Sequence, residues 1–355
     1  MIPISSLNRD TAELNEISIE IDKFIREGRY VLGDRLKEFE ESFACFIGKK
    51  YTVGVGNATD ALYLAFRALN LKRIGLCASN PLPCGQAIKM ADAEMILFDA
   101  LDDSGLLDIK KVREDSRNMD AILAVHLYGQ AERAEELKII CDEKNIPLVE
   151  DCSQSIGTFA GKIHSGGFGI LSAYSFYPTK NLGGFGDGGM VATDDKKMYE
   201  KILKMRNYGQ TKIYSAQTEG INSRLDDIQA VILLVKMKSI KRKNERRREI
   251  LKKYRTMIKN PKITLLGERY FETSNGHLMP IFCEERDRLK DYLEQNGIMS
   301  AVHYPYPLHK QEYFSQDISL PVSESLAKRE LTIPSFSELE DGEADHIIKV
   351  LNNYE

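Results

Sequence analysis

Between residues 51 and 151 the chain alternates short apolar runs with amphipathic segments, and this rhythm narrows the possible folds more than any other feature. Tyr51–Val55, Glu94–Phe98, Ala121–Val125 and Ile146–Val149 have the length and composition of buried strands. Leu62, Ala65, Phe66 and Leu69 recur at helical spacing, and Ala134–Lys144 reads as a further helix. Strands separated by helices imply an α/β fold, with a mostly parallel, buried sheet and helical crossovers.

Two helices are expected ahead of this unit, over 12–26 and 35–47; the second carries Leu36, Phe39, Phe43 and Phe46 on one face. Residues 170–194 read as short strands around a glycine-rich turn. Asp226–Tyr254 reads as one long or broken helix with an apolar stripe at Leu233, Met237 and Ile240. Beyond it, a strand-like run (Leu278–Cys283) mixes with helices (Glu285–Asn296 and Ser323–Glu330), which suggests a smaller α+β unit. The expected division is a large domain over 1–245 and a small C-terminal domain over 246–355.

Composition excludes several classes. Lys+Arg number 49 and Asp+Glu 53, a net charge of −4, which is too balanced for a histone-like nucleic-acid binder. The basic run Lys236–Lys253, with ten Lys/Arg against two Glu, reads mainly as a solvated helix face, although some of its arginines could meet an anionic substrate. The six cysteines form no CxxC pair, so neither a metal site nor a disulfide scaffold is expected, and a reducing cytoplasm fits. The N-terminus lacks the basic and apolar regions of a signal peptide, and no apolar stretch approaches the roughly 20 residues that span a bilayer.

Three segments carry chemistry. Val53-Gly54-Val55-Gly56-Asn57-Ala58-Thr59-Asp60 follows a strand and opens a helix, where free N–H groups and the positive dipole end suit a phosphate. It is not a Walker loop and makes a poor dinucleotide fingerprint; a tight turn capped by Asn or Thr is the plainer alternative. Ile146–Val149 runs into Glu150 and Asp151 at a strand end, where parallel sheets bind ligands. Adjacent strand residues face opposite ways, so one of the acids, Asp151, is expected to face a site, and Glu150 to tolerate substitution. A carboxylate capping a turn is the ordinary alternative. Lys180 precedes five glycines between 183 and 189, a context that is unusual for a solvated surface lysine. A lysine in a dry pocket has a depressed pKa and forms Schiff bases with carbonyls. A phosphate cradle, a strand-end acid and a lysine 29 residues further on are the parts that pyridoxal phosphate requires.

With these residues in view, the chain resembles the DegT/DnrJ/EryC1/StrS nucleotide-sugar aminotransferases, which have the aspartate aminotransferase fold (fold type I). The resemblance spans nearly the whole chain. It is carried by Gly28-Arg29-Tyr30-Val31-Leu32-Gly33, the Val53–Leu62 segment, and His126-Leu127-Tyr128-Gly129-Gln130. It continues in Glu150-Asp151-Cys152-Ser153-Gln154, Ser175–Gly183, Gly220-Ile221-Asn222-Ser223-Arg224 and His303-Tyr304-Pro305. It implies that Lys180 forms the Schiff base with pyridoxal 5'-phosphate and shuttles protons, with pyridoxamine 5'-phosphate as the alternate cofactor form. It further implies that Asp151 pairs with the pyridine nitrogen and Gln154 contacts the ring hydroxyl. Ala58, Thr59 and Ser175 would hold the phosphate, and Asn222 would reach the phosphate of the other subunit in an obligate homodimer. The family's ring-stacking aromatic is replaced: the stretch reads Ala78-Ser79-Asn80-Pro81-Leu82-Pro83-Cys84, which puts Pro81 at that position. Arg29, Tyr177, His303, Tyr304 and His309 are the candidate substrate contacts.

The activity implied is transfer of an amino group from L-glutamate to a nucleotide-linked 6-deoxyhexulose, with dTDP the expected nucleotide. The wording of Gly28–Gly33 and Val53–Leu62 leans toward members that aminate C3, in making an amino sugar for a surface polysaccharide such as O-antigen or for a glycoside. The alternatives are C4 amination, amination of a free cyclitol ketone, and a non-catalytic regulatory protein that binds the cofactor. Lys180 argues against the family's dehydratases, which carry histidine there.

Overall fold

Seven strands build the central sheet: β1 (Tyr51–Val55), β2 (Arg73–Cys77), β3 (Glu94–Phe98), β4 (Ala121–Val125), β5 (Leu148–Asp151), β6 (Leu171–Ser175) and β7 (Gly189–Thr193). Their spatial order is β1-β7-β6-β5-β4-β2-β3. The neighbours from β3 to β6 pair in parallel, while β7 runs antiparallel to both β1 and β6. This is the mostly parallel α/β sheet that the strand–helix rhythm predicts. The description rests on a computed structural model and covers residues 1–212 and 214–355.

Both faces of the sheet are covered, which is why β4, β5, β6 and β7 are buried at every residue. Along β4 the side chains alternate between two cores. Ala121, Leu123 and Val125 pack with the helices Ala58–Ala68 and Leu82–Met90. Ile122 and Ala124 pack with residues of the C-terminal part, among them Ile250, Met279 and Ile281. A third core joins the helix Asp34–Ile47 to β6, where the Phe43 ring meets Tyr174 and Phe176 edge-on at 5.1 and 5.3 Å.

Two boundaries differ from expectation for identifiable reasons. The strand expected at Ile146–Val149 begins two residues later and runs through both acids. Pro147 has no N–H to give to the ladder, although its carbonyl accepts from Ile122 N at 3.2 Å. The long helix is broken at Lys238–Ser239 into Asp227–Met237 and Ile240–Met257. At the break the Ser239 hydroxyl bonds Glu13 and the Lys236 carbonyl. The division expected near residue 245 falls within the second of these helices. Its start, Ile240, belongs to the core under β6, whereas Ile250, Leu251 and Tyr254 belong to the core shared with the C-terminal part.

That C-terminal part holds a small antiparallel sheet of Thr264–Leu265, Met279–Phe282 and Glu330–Ile333. The helices Arg286–Gln295 and Pro321–Arg329 match the expected segments; a final helix, Asp341–Asn352, was not expected. The latter opens on a capping box between Glu340 and Glu343. Among the described residues no helix is long and apolar enough to cross a membrane.

Candidate active site

The C-terminal ends of β4, β5 and β6 and the loop after β1 converge on one cavity of about 280 Å³. β1 delivers the chain to Asn57, whose Oδ1 accepts from Asp60 N at 2.8 Å and caps the helix Ala58–Ala68. The turn is braced from a distant segment. Ser223 Oγ donates to Asp60 Oδ2 at 2.6 Å and accepts from Gly56 N at 2.9 Å. The backbone N–H groups of the first turn, at Ala58 and Thr59, border the cavity and have no intrahelical partner. Gly189 of β7 is what lets the strand lie against this turn: a Cβ there would sit 2.4 Å from the Asn57 carbonyl. The Asn57 cap is therefore formed in the very turn that was expected to cradle a phosphate, and the two readings do not exclude each other.

The two acids at the end of β5 face opposite ways. Asp151 lines the cavity; its Oδ1 accepts from Ser153 N at 2.9 Å and its Oδ2 from Cys84 Sγ at 3.3 Å. Glu150 points to the other face and is fully buried. It accepts from His126 Nε2 at 3.1 Å and from Gly166 and Phe168 N at 2.9 Å. His126 Nδ1 accepts from Glu132 N at 3.0 Å, which leaves its proton on Nε2 for Glu150. Burial alone would raise the Glu150 carboxyl, but the hydrogen bonds from His126 and the backbone hold it below the usual carboxylate range. The expectation that Glu150 tolerates substitution is therefore corrected: it is the acceptor at the centre of a buried network.

Lys180 sits on the loop that returns from β6 to β7. The loop folds back tightly: Lys180 N bonds the Tyr177 carbonyl at 2.8 Å, and a Cβ on Gly183 would lie 2.3 Å from the Pro178 carbonyl. The lysine is half-buried by surface area, but its ammonium lies among packed groups. Desolvation pushes it down to about 8, opposed by the charge of Asp151 across the cavity. Ser175 Oγ, at the end of β6, borders the same cavity and accepts from Tyr177 N at 3.3 Å.

Gln154 is buried at the cavity wall with its amide already oriented. Oε1 accepts from Tyr128 N at 2.6 Å, and Nε2 donates to the Tyr304 hydroxyl at 3.0 Å. Burial raises the Tyr304 phenol, so it stays protonated. Pro81 and Pro83 both line the cavity, and Pro81 is the N-cap of the helix Leu82–Met90. A second cavity of about 300 Å³ adjoins the first and shares Tyr177, Lys180 and Tyr304 with it. His303 lines this second space; its Nδ1 meets Thr332 Oγ1 at 2.9 Å, and burial and then Lys180 push its imidazole down to about 4.

Three candidates lie apart from both cavities. Arg29 is exposed and pairs with Asp34 at 3.0 Å. His309 is buried, and its Nε2 meets Glu324 at 3.0 Å. Asn222 is exposed beside Asn207, with which it forms an isolated β-bridge, and lines neither cavity of its own chain. Conversely, Cys84, Asn181, Asp187, Arg247 and His277 stand at the site without having been singled out. Arg247 had a legible signal: it follows Ile240 by seven residues and precedes Leu251 by four, on the buried face of its helix.

Comparisons with known proteins bear on the chain's family and fold. The model of the DegT/DnrJ/EryC1/StrS aminotransferase family matches residues 12–352. The chain is 34% identical, over all of its length and 99% of the relative's, to a dTDP-3-amino-3,6-dideoxy-alpha-D-galactopyranose transaminase of Aneurinibacillus thermoaerophilus. It is 31% identical, over 99% of its length and 98% of the relative's, to a pleiotropic regulatory protein of Geobacillus stearothermophilus. Among solved structures, S. venezuelae DesV in complex with ketimine intermediate superposes with a TM-score of 0.94 at 32% identity, covering 99% of this chain and 97% of that one.

Proposed function

Because the chain belongs to the DegT/DnrJ/EryC1/StrS aminotransferase family, we propose that it uses pyridoxal 5'-phosphate to move an amino group from L-glutamate to C3 of a dTDP-linked 3-keto-6-deoxyhexose. The observation that carries this reading is the convergence on one cavity of an open helix N-terminus, a buried carboxylate and a lysine with a lowered pKa. The Aneurinibacillus relative, named a dTDP-3-amino-sugar transaminase, supports C3 and dTDP over the alternatives.

The residues present fit the cofactor group by group. The Ala58 and Thr59 N–H groups and the Ser175 hydroxyl suit its phosphate. Asp151 suits a protonated pyridine nitrogen, Gln154 the ring hydroxyl, and Lys180 the aldehyde carbon, with Pro81 as the ring cover. Bound there, pyridoxal phosphate supplies an electron sink that acidifies the C–H bond beside the donor's nitrogen.

The remaining work falls to the chain. Lys180 Nζ, held near 8, is neutral in a useful fraction at working pH and takes the proton from the donor's α-carbon. The negative charge of Asp151 stabilises the ammonium so formed, and the same Nζ returns a proton during sugar amination. Gln154 holds the Tyr304 hydroxyl at the junction of the two cavities, where Tyr304, Tyr177 and His303 contact substrate. His303, kept neutral, is a hydrogen-bonding group rather than a charge.

Asn222, exposed and away from its own cavity, serves the partner's phosphate in a homodimer with shared sites. Arg29, on the exposed Gly28–Gly33 loop, contributes to substrate binding across that same interface. The regulatory reading, which the Geobacillus relative's name brings up, is disfavoured by the intact Lys180, Asp151 and Gln154 set.

The test is incubation of the holoenzyme with L-glutamate and a panel of dTDP- and UDP-linked 3-keto and 4-keto sugars, with NMR of the products. A dTDP-3-amino-6-deoxyhexose is expected. A 4-amino product would move the regiochemistry, and no amination of any member would overturn the reading. Borohydride reduction should attach the cofactor to the peptide containing Lys180.

A further inference from the structure

Arg247 has no carboxylate partner among the described residues. Its Nη1 reaches only two backbone carbonyls, Ser335 at 3.2 Å and Gly276 at 3.4 Å. The closely packed Gly276 holds the arginine's stem in place, since a Cβ there would sit 2.6 Å from Arg247 Cβ. Glu338, whose charge reaches Arg247, is itself bonded to Lys243 at 3.2 Å. Arg206, a buried arginine, is by contrast paired with Glu40. A guanidinium carries five N–H donors, so most of those on Arg247 are unused. It borders the second cavity together with Lys180, and burial pushes it down to about 10, still protonated at any working pH.

We propose that Arg247 holds a carboxylate of the amino-acid donor, in the cavity of about 300 Å³ beside Lys180. The proposal rests on the aminotransferase reading and names its donor site. Guanidinium and carboxylate match as planar, bidentate partners. The surroundings favour one carboxylate over a diphosphate. The neighbouring imidazoles, His277 and His303, are both held neutral, His277 by burial and then by the charges of Lys180 and Arg247. The positive charges left in the cavity are thus Arg247 and the lysine that the donor displaces. Leu278, Ala301, Ile333 and Phe336 give the lining an apolar stretch that suits the donor's aliphatic chain, and the remaining polar groups, among them the hydroxyls of Thr179, Thr332 and Ser335, are uncharged.

Holoenzyme, Arg247→Gln and Arg247→Lys would be titrated calorimetrically with glutarate, a dicarboxylate that cannot react. Each would then be taken through a single turnover with L-glutamate and, from the pyridoxamine-loaded form, with the keto-sugar nucleotide. Arg247→Gln should weaken glutarate and L-glutamate on the order of 100-fold. It should leave the sugar half-reaction within about threefold of wild type, with Arg247→Lys intermediate for the donor. Circular dichroism and cofactor absorbance report folding; if the glutamine variant misfolds, the lysine variant carries the same comparison. Unchanged donor affinity would overturn the proposal. So would an equal or larger loss in the sugar half-reaction, which would assign Arg247 to the diphosphate. Glutarate that fails to bind the wild type would also overturn it. Glutarate binding that depends on Arg247, in a protein that aminates no sugar, would sink the proposed function while leaving this site standing.

Discussion

Cys84 donates its thiol proton to Oδ2 of Asp151 across 3.3 Å, and both side chains are buried. With Ser153 N on Oδ1, the carboxylate is held from both oxygens and presented to the cavity in one orientation. Burial, and then the charge of Asp151, raise the thiol well above its ordinary value, so it remains a donor at any working pH.

Asp151→Asn should leave the fold nearly intact and slow the L-glutamate half-reaction on the order of 10²–10³-fold, because the charge opposite the ring nitrogen is gone. Cys84→Ser keeps the donor and should stay within about threefold of wild type, while Cys84→Ala frees the carboxylate to turn and should fall between the two. Stopped-flow single turnovers report all three. A near-wild-type rate for Asp151→Asn would remove Asp151 from the site.

Glu150, one residue earlier, should behave in the opposite manner. Glu150→Ala strands the His126 Nε2–H and the N–H groups of Gly166 and Phe168 in the interior, a loss of about 3–5 kcal/mol. Asp151→Asn should cost under about 1 kcal/mol. Urea denaturation of the apoprotein separates the two. The Glu150 carboxyl lies below its ordinary value in the fold, so its contribution is present above the unfolded pKa and is lost as pH falls through the folded one. Glu150→Gln should therefore flatten the loss of stability on acidification, and an unchanged acid profile would contradict the network's role.

Lys180 has the reverse sign. Its ammonium titrates near 8 in the fold against 10.5 ordinarily, so between those values the unfolded chain binds more protons. Stability of the apoprotein should rise with pH across that window, and Lys180→Met should remove the rise. Capture of pyridoxal phosphate by the apoprotein should likewise accelerate as pH passes about 8, where the amine becomes neutral. A capture rate that is flat in pH would mean that the amine is not desolvated. Lys180→Ala should abolish turnover.

Asn222 offers a test of the shared site. A Lys180→Ala subunit and an Asn222→Ala subunit should each be inactive as homodimers. In a hybrid, one site carries both lesions and the other neither, so activity should partly return. Absence of recovery in verified hybrids, or a monomer at working concentration, would contradict the cross-subunit role.

The expected elements that proved accurate are those written in local patterns. Tyr51–Val55, Glu94–Phe98 and Ala121–Val125 are strands with the expected limits, because an apolar run between turns has no better local outcome than a buried strand. Asn57 and Asp60 announce a helix start through their own hydrogen bond, three residues apart. The opposition of Glu150 and Asp151 follows from strand geometry alone. The final helix Asp341–Asn352 was missed although its capping box was in plain view at Glu340 and Glu343.

By itself, then, the sequence determined the α/β rhythm, the family, and the lysine, acid and helix start that mark the cavity, because each is set by neighbours within a few residues. The tertiary structure decided what those residues meet. Cys84 reaches Asp151 from 67 positions away, and Ser223 reaches Asp60 from 163. Arg247, which helical spacing alone puts on the buried face, meets Gly276 and the cavity only through the packing of its helix, while His309 is drawn off to Glu324. Such juxtapositions depend on how layers stack and where loops return. That is settled by burying apolar surface across the whole chain, and no short stretch of sequence records it.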